Sequence, residues 1–182
     1  KRGVEGKINA IKFAKVNNKP FLGICFGMQL AVIEAMRCIK GYEDASSSEF
    51  GKCKIPVIAL IDEWQKNTKI HKVDKKNLGG SMRLGSYNSI LKKNTKIFKI
   101  YNKMNITERH RHRYEVNKNY ISILEENGTI FSGMSPDKKL AEVLERSDHP
   151  WFVGVQFHPE LKSTPFKPHP IFNSFIKSTY FL

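Results

Sequence analysis

An α/β fold with a mixed, largely parallel sheet flanked by helices is what this sequence predicts, and three observations predict it. A short apolar run, Phe21-Leu22-Gly23-Ile24, passes almost directly into a helical pattern that spans residues 27–39. The second half is rich in strand-like segments separated by turn residues. No repeat, low-complexity tract or proline-rich linker divides the chain, so its 182 residues read as one domain, 1–182, with room for one sizeable core.

The elements follow in order. Ile8, Ile11 and Ala14 recur at helical spacing, and Asn17-Asn18-Lys19-Pro20 ends that helix, because proline supplies no amide donor and restricts the residue before it. The strand at 21–24 comes next. In the helix at 27–39, Met28, Leu30, Ala31, Ile33, Ala35 and Met36 form a broad apolar face, and Gly41 stops it. Further strands are expected at 57–61, 81–88, 112–116, 129–134, 140–145 and 152–157, and a closing amphipathic helix at 170–180. Ser46-Ser47-Ser48 and Lys75-Lys76-Asn77 read as loops.

Composition excludes several classes. The longest apolar runs fall well short of the roughly 20 residues that span a bilayer, and residues 1–15 lack the continuous apolar centre of a secretory signal. Three cysteines, Cys25, Cys38 and Cys53, have no metal-type pairing and suit a reducing, cytoplasmic setting. The formal charge of +14 invites a nucleic-acid reading. Of 31 basic residues, however, only 7 are Arg, and the lysines are scattered among many asparagines, which describes a solvated surface better than a binding stripe. In the run Arg109-His110-Arg111-His112-Arg113, strand alternation sends the arginines to one face and the histidines to the other.

The chemistry concentrates at two places. In Leu22-Gly23-Ile24-Cys25-Phe26-Gly27-Met28-Gln29 a cysteine sits between glycines at a strand-to-helix junction, the arrangement of a nucleophile elbow. Both glycines are expected to permit the tight turn. The helix N-terminus favours a thiolate, and the Phe26 N–H is placed to receive an oxyanion. The simpler reading, a small buried apolar residue, is the one expected for Cys38 and Cys53. In Gly154-Val155-Gln156-Phe157-His158-Pro159-Glu160, a histidine and a carboxylate end a strand on one side of the extended chain. His158 is the candidate base and Glu160 the group that orients it, which completes a Cys25-His158-Glu160 triad for acyl transfer. Alternatively His158 caps the strand, or joins His149 and His169 at a metal; no ligand spacing supports the metal, and none is expected.

The paired segments Gly23-Ile24-Cys25-Phe26-Gly27-Met28-Gln29 and Gln156-Phe157-His158-Pro159-Glu160 resemble the signatures of class I glutamine amidotransferases, which have a flavodoxin-like fold. Four more segments narrow the resemblance to one branch of that family: Arg2-Gly3-Val4-Glu5-Gly6-Lys7, Leu78-Gly79-Gly80-Ser81-Met82-Arg83-Leu84-Gly85, Glu108-Arg109-His110-Arg111-His112-Arg113-Tyr114-Glu115-Val116-Asn117, and His169-Pro170. The resemblance implies hydrolysis of L-glutamine through a glutamyl-thioester. The ammonia then passes to a synthetase domain, absent here, that aminates UTP at the expense of ATP with Mg²⁺. The full-length enzyme is expected to be a homotetramer activated by GTP. The glutamine pocket is expected to use Gln29, Glu49, Arg113 and Tyr114; a carboxylate for the ammonium and a guanidinium for the α-carboxylate make chemical sense. The segment 78–85 resembles a mobile lid in which Arg83 is linked to GTP. Phe26 stands where leucine is usual and Ser48 where threonine is common. The glycine-rich loop that carries a second oxyanion donor, with a further strand and helix, is expected upstream of Arg2, so the chain is read as an N-terminally truncated piece of the domain. Other readings compatible with these residues are a different class I amidotransferase, a γ-glutamyl hydrolase, or a non-catalytic module of the same fold.

Overall fold

The breaker sequence acts where it was expected to. Helix α1 (Val4–Val16) ends at Asn17, Asn18 takes a left-handed φ of 52°, and strand β1 (Phe21–Ile24) starts directly after Pro20. The computed structural model describes residues 3–60, 63–66, 69–72 and 82–180. Beyond β1 the chain forms α2 (Phe26–Arg37), β2 (Ala45–Ser47), β3 (Ile55–Leu60), β4 (Glu63–Lys66), β5 (Lys69–Lys72) and β6 (Arg83–Leu91). Then come α3 (Lys96–Tyr101), β7 (Asn105–His112), β8 (Tyr114–Val116), α4 (Ile121–Glu126), β9 (Thr129–Met134), β10 (Ala141–Arg146), β11 (Phe152–Val155) and α5 (Pro170–Thr179).

The main sheet has the order β1-β11-β10-β9-β6-β7; β2-β3-β8 and β4-β5 form smaller sheets. The sheet is mixed, as expected, but its parallel share is smaller than the sequence indicated. Among the described residues only β1 with β11 and β2 with β3 run parallel. The reason is connection length: the loops from β9 to β10 and from β10 to β11 are too short for the crossover that a parallel pair needs, so these strands turn back antiparallel.

Side-chain alternation divides the interior in two. Leu144 and Phe152 face a core formed with Ile8 and Ile11 of α1, and Met28, Leu30 and Ile33 of α2. Val143, Val153 and Val155 face the other core, closed by Ile97 of α3 and Ile171 of α5. Full burial of a side chain of this size contributes about 1.5–3 kcal/mol, so both layers of helices are held mainly by this apolar contact. α2 is buried almost all round, which accounts for the apolar residues on every side of 28–36, where only Gln29 and Glu34 are polar.

Helix α3 was not anticipated, because half of its cap is remote in sequence. Thr95 Oγ1 accepts from Phe98 N at 3.3 Å, while the buried Glu145 carboxylate of β10 accepts from Lys96 N and Ile97 N, each at 2.9 Å. His169 caps α5 by accepting from Ile171 N at 3.3 Å, and its Nε2 lies 3.1 Å from Glu108 of β7. His149 lies 3.2 Å from Ala14 O and accepts from Trp151 N at 3.1 Å. Both histidines hold the chain together, and among the described residues no group of three His, Cys, Asp or Glu is gathered for a metal. Also among the described residues, no helix is long and apolar enough to cross a membrane. Contrary to the buried setting expected of them, Cys38 is exposed and Cys53 half-buried, since each lies just outside a regular element.

Arg83 corrects a second expectation. Residues 78–81 of the expected lid lie outside the described residues, but Arg83 itself opens β6, buried rather than displayed on a loop. Its guanidinium donates to Glu115 and Glu142, each at 2.7 Å, and lies 4.6 Å over the Tyr87 ring. His110 and His112, 2.9 Å apart through their ring nitrogens, lie next to these carboxylates. Burial, together with the nearby Arg83 charge, holds both imidazoles well below their ordinary range. Burial raises Glu142 and pushes Glu115 up to about 8, with Arg83 opposing both shifts. A charge inside the fold was not signalled by position, because the same alternation would have suited an exposed arginine.

Arg83→Met leaves two buried carboxylates without their cation and is expected to cost about 3–5 kcal/mol in urea unfolding at pH 8.5. Carboxyls whose folded pKa is raised bind protons more readily folded than unfolded, so the deficit should shrink as pH falls towards 5. A deficit independent of pH would reject the shared-cation account.

Candidate active site

Cys25 occupies the residue between β1 and α2 with φ 51° and ψ −101°, a conformation that a side-chain-bearing residue adopts only under constraint. The constraint is visible. Its N–H donates to Val155 O at 2.7 Å, continuing the parallel ladder from β1 to β11, and its carbonyl accepts from Gln29 N at 3.2 Å, starting α2. A Cβ on Gly23 would lie 2.8 Å from the Gly27 carbonyl carbon, so glycine is obligatory there. Gly27 differs from expectation: a Cβ added to it would meet nothing within 4 Å, and the tight packing is carried by Gly23.

The resting sulfur is a thiol. Burial pushes Cys25 up to about 11, a hydrogen bond from the Phe26 amide pulls it down, and the charges of Glu115 and Glu160 raise it. Burial outweighs the helix N-terminus, which by itself favours the thiolate. A base must therefore take the proton during the reaction.

The parallel pairing brings the candidate base, His158, to the same edge of the sheet as Cys25. Ile24 lies opposite Val155, so the residues following both strands emerge at the same edge of the sheet. There His158 N donates to Arg109 O at 2.8 Å, and His158 Nδ1 lies 2.6 Å from Glu160 Oε1. A carboxylate only accepts, so Nδ1 carries the proton and Nε2 is left as acceptor. Nε2 is buried and has no hydrogen-bond partner among the described residues. The chain after His158 is not extended, as the sequence reading assumed, but turns into a 3₁₀ helix at Pro159–Lys162; that turn swings Glu160 back onto the ring.

Beside Cys25 lies a cavity of about 190 Å³ lined by Phe26, Gln29, Glu49, Arg113 and Tyr114, all of them expected, and by Met82, Arg111 and His112, which were not. It is smaller than the roughly 300–1,000 Å³ of typical drug-sized sites and suits a single amino acid. Arg113 Nε is buried without a hydrogen-bond partner among the described residues, so this guanidinium nitrogen has a donor to offer an anion. Gln29 Nε2 donates to Tyr114 O at 2.9 Å. Gln156 was also missed: fully buried, it places Nε2 3.7 Å from Cys25 Sγ. Its position two residues before His158 was the available signal, since alternate residues at a strand end share a side.

Cys25 opens onto an amino-acid-sized cavity while the paired His158 and Glu160 follow the neighbouring strand, an arrangement suited to thiol acyl transfer, and residues 1–178 match the family model "Glutamine amidotransferase class-I". The chain belongs to the class I glutamine amidotransferases. Within that family it is similar to CTP synthase: the Pelagibacter ubique protein is 58% identical over 178 residues, covering 98% of this chain and 33% of the relative. Bartonella quintana CTP synthase is 59% identical over 179 residues, with the same coverages. The chain thus spans about a third of the length of these relatives. Among solved structures, the glutaminase domain of Trypanosoma brucei CTPS with bound acivicin superposes with a TM-score of 0.85 at 34% identity, over 99% of this chain and 67% of that one.

Two outcomes test the site. Gly23→Ala is expected to lower the unfolding free energy by about 1–3 kcal/mol in denaturant titration, and wild-type stability would reject the tight elbow. Alkylation of Cys25 by iodoacetamide, followed by peptide mass spectrometry without substrate, tracks the thiolate. Because its pKa is raised, reactivity should still be climbing at pH 9–10, with its midpoint near pH 11; a plateau at neutral pH would overturn the resting-thiol assignment.

Proposed function

We propose that this chain is the glutaminase domain of a CTP synthase, which hydrolyses L-glutamine to glutamate and ammonia and supplies the ammonia for conversion of UTP to CTP. The single observation that carries this reading is the opening of Cys25 onto a cavity that also holds a carboxylate, a partnerless guanidinium nitrogen and two amide or phenol groups. Glu49 takes the substrate ammonium and Arg113 its α-carboxylate, while Gln29 and Tyr114 line the path of the side chain. The side-chain amide is thereby directed at Cys25.

His158 Nε2 removes the thiol proton as Sγ adds to the amide carbon, and the Phe26 N–H receives the developing oxyanion. Glu160 stabilises the imidazolium through Nδ1. Collapse of the tetrahedral adduct breaks the C–N bond; His158 returns the proton to nitrogen and ammonia leaves. Water, deprotonated by the same imidazole, then cleaves the γ-glutamyl thioester and restores the thiol.

In the same reading a synthetase domain uses ATP and Mg²⁺, the full-length enzyme is a cytoplasmic homotetramer, and GTP activates it. Arg83, closed between two carboxylates, would influence that activation through the packing of β6 and the pocket wall at Met82 rather than by offering its guanidinium to a ligand.

The glutamine analogue 6-diazo-5-oxo-L-norleucine should label Cys25 alone, glutamine should block the labelling, and Cys25→Ala should keep its fold while ammonia release falls at least about 10³-fold. Turnover retained in Cys25→Ala rejects the nucleophile. Preference for γ-glutamyl peptides over glutamine, or ammonia-dependent amination of an acceptor other than UTP, rejects the assigned reaction.

A further inference from the structure

A fully buried primary amide ends β11 two residues before His158, and its backbone N–H is already used by Glu142 O at 2.9 Å. Its side chain is part of a relay of amides whose direction is dictated from one end. Tyr114 O is a carbonyl and can only accept, so the group that Gln29 presents to it at 2.9 Å must be its NH₂. The second hydrogen of that NH₂ goes to Gln156 Oε1 at 3.3 Å. Gln156 has then only its own NH₂ to turn towards Cys25, where Nε2 lies 3.7 Å from Sγ, within reach of an atom as large as sulfur. Each amide is locked by the one before it, and neither can flip without opposing like groups.

We propose that Gln156 is a further functional residue of this site, a hydrogen-bond donor to the Cys25 sulfur that stabilises the attacking thiolate and holds it in line. The surroundings give such a donor work to do. Around Cys25, Glu115 and Glu160 oppose a negative sulfur, and burial opposes it more strongly; the Phe26 amide and the Gln156 amide favour it. The Phe26 amide is also the group assigned to the oxyanion, so once the tetrahedral adduct forms it has two claimants, whereas Gln156 faces the sulfur alone. The relay also ties the donor to the pocket, since both Gln29 and Tyr114 line it.

The proposal rests on the glutaminase reading for its kinetic consequence but not for its chemical one. Gln156→Met preserves length and apolar bulk while removing the donor. In the full-length polypeptide, alkylation of Cys25 by iodoacetamide at pH 8 should slow about tenfold, with the midpoint of the pH profile moved up by about one unit. In glutamine hydrolysis kcat should fall comparably while KM changes little, because the substrate contacts are untouched; a residue that merely filled space would not move the alkylation midpoint. Should Gln156→Met fail to fold, Gln156→Glu keeps the shape and the acceptor for Gln29 but replaces the amide donor by a carboxylate that opposes a negative sulfur, and slowing of at least about tenfold is expected. A folded variant with the wild-type alkylation profile overturns the proposal. Wild-type protein that shows this profile dependence yet does not turn over glutamine would instead overturn the glutaminase reading and leave the hydrogen bond standing.

Discussion

The parallel pairing of β1 with β11 is the constraint on which the rest of the site depends. Parallel strands end at the same edge of a sheet, so the candidate nucleophile that follows one and the candidate base that follows the other emerge on the same side. Gly23 opposite Gly154 allows this pair to lie close under α2, where Met28 covers Gly154 and the Gly27 backbone covers Gly23. The last rung of the ladder, Cys25 N to Val155 O, is at once a sheet hydrogen bond and the force that holds the cysteine in its left-handed turn. Sheet stability and nucleophile geometry are therefore one quantity in this molecule.

The second organising feature is charge placed inside the fold. Arg83, Glu115, Glu142 and His110 form a buried polar layer that His112 joins to the cavity wall, with the two imidazoles kept neutral. Isolated, each of these groups would be costly to bury; together they satisfy most of one another's hydrogen bonds and carry a field that reaches Cys25 through Glu115. The cavity wall is thus a positive outer face of Arg111 and Arg113 above a compensated interior. Strand β7 joins the two, its arginines outward and its histidines inward.

A buried thiol with a raised pKa and a base left with one open nitrogen make a consistent pair. Charge separation at rest would be unfavourable in so enclosed a place, and it becomes favourable only when the proton transfer is coupled to carbon–sulfur bond formation. Donors fixed before the reaction, from the Phe26 amide and Gln156, lower the cost of that step without reorganisation.

What the sequence by itself determined is local. The elbow around Cys25, the placing of His158 and Glu160 at a strand end, the alternation through 109–113 and the apolar face of α2 are all written within a few residues, because periodicity and glycine placement act over one turn or one strand. The glutamine-pocket residues came through family resemblance rather than pattern, and they do gather in one cavity. The tertiary structure alone decided that Arg83 is buried, that β9, β10 and β11 run antiparallel, that α3 is capped by Glu145, and that Gln156 points at the sulfur. The burial of Arg83, the Glu145 cap and the Gln156 contact each depend on a partner some 30 to 130 residues away, whereas the antiparallel strands follow from their short connections. Residue type restricts what a group can bond to, but only packing of the two sheet faces chooses the partner, and with it which charges are shielded and which amide meets the nucleophile.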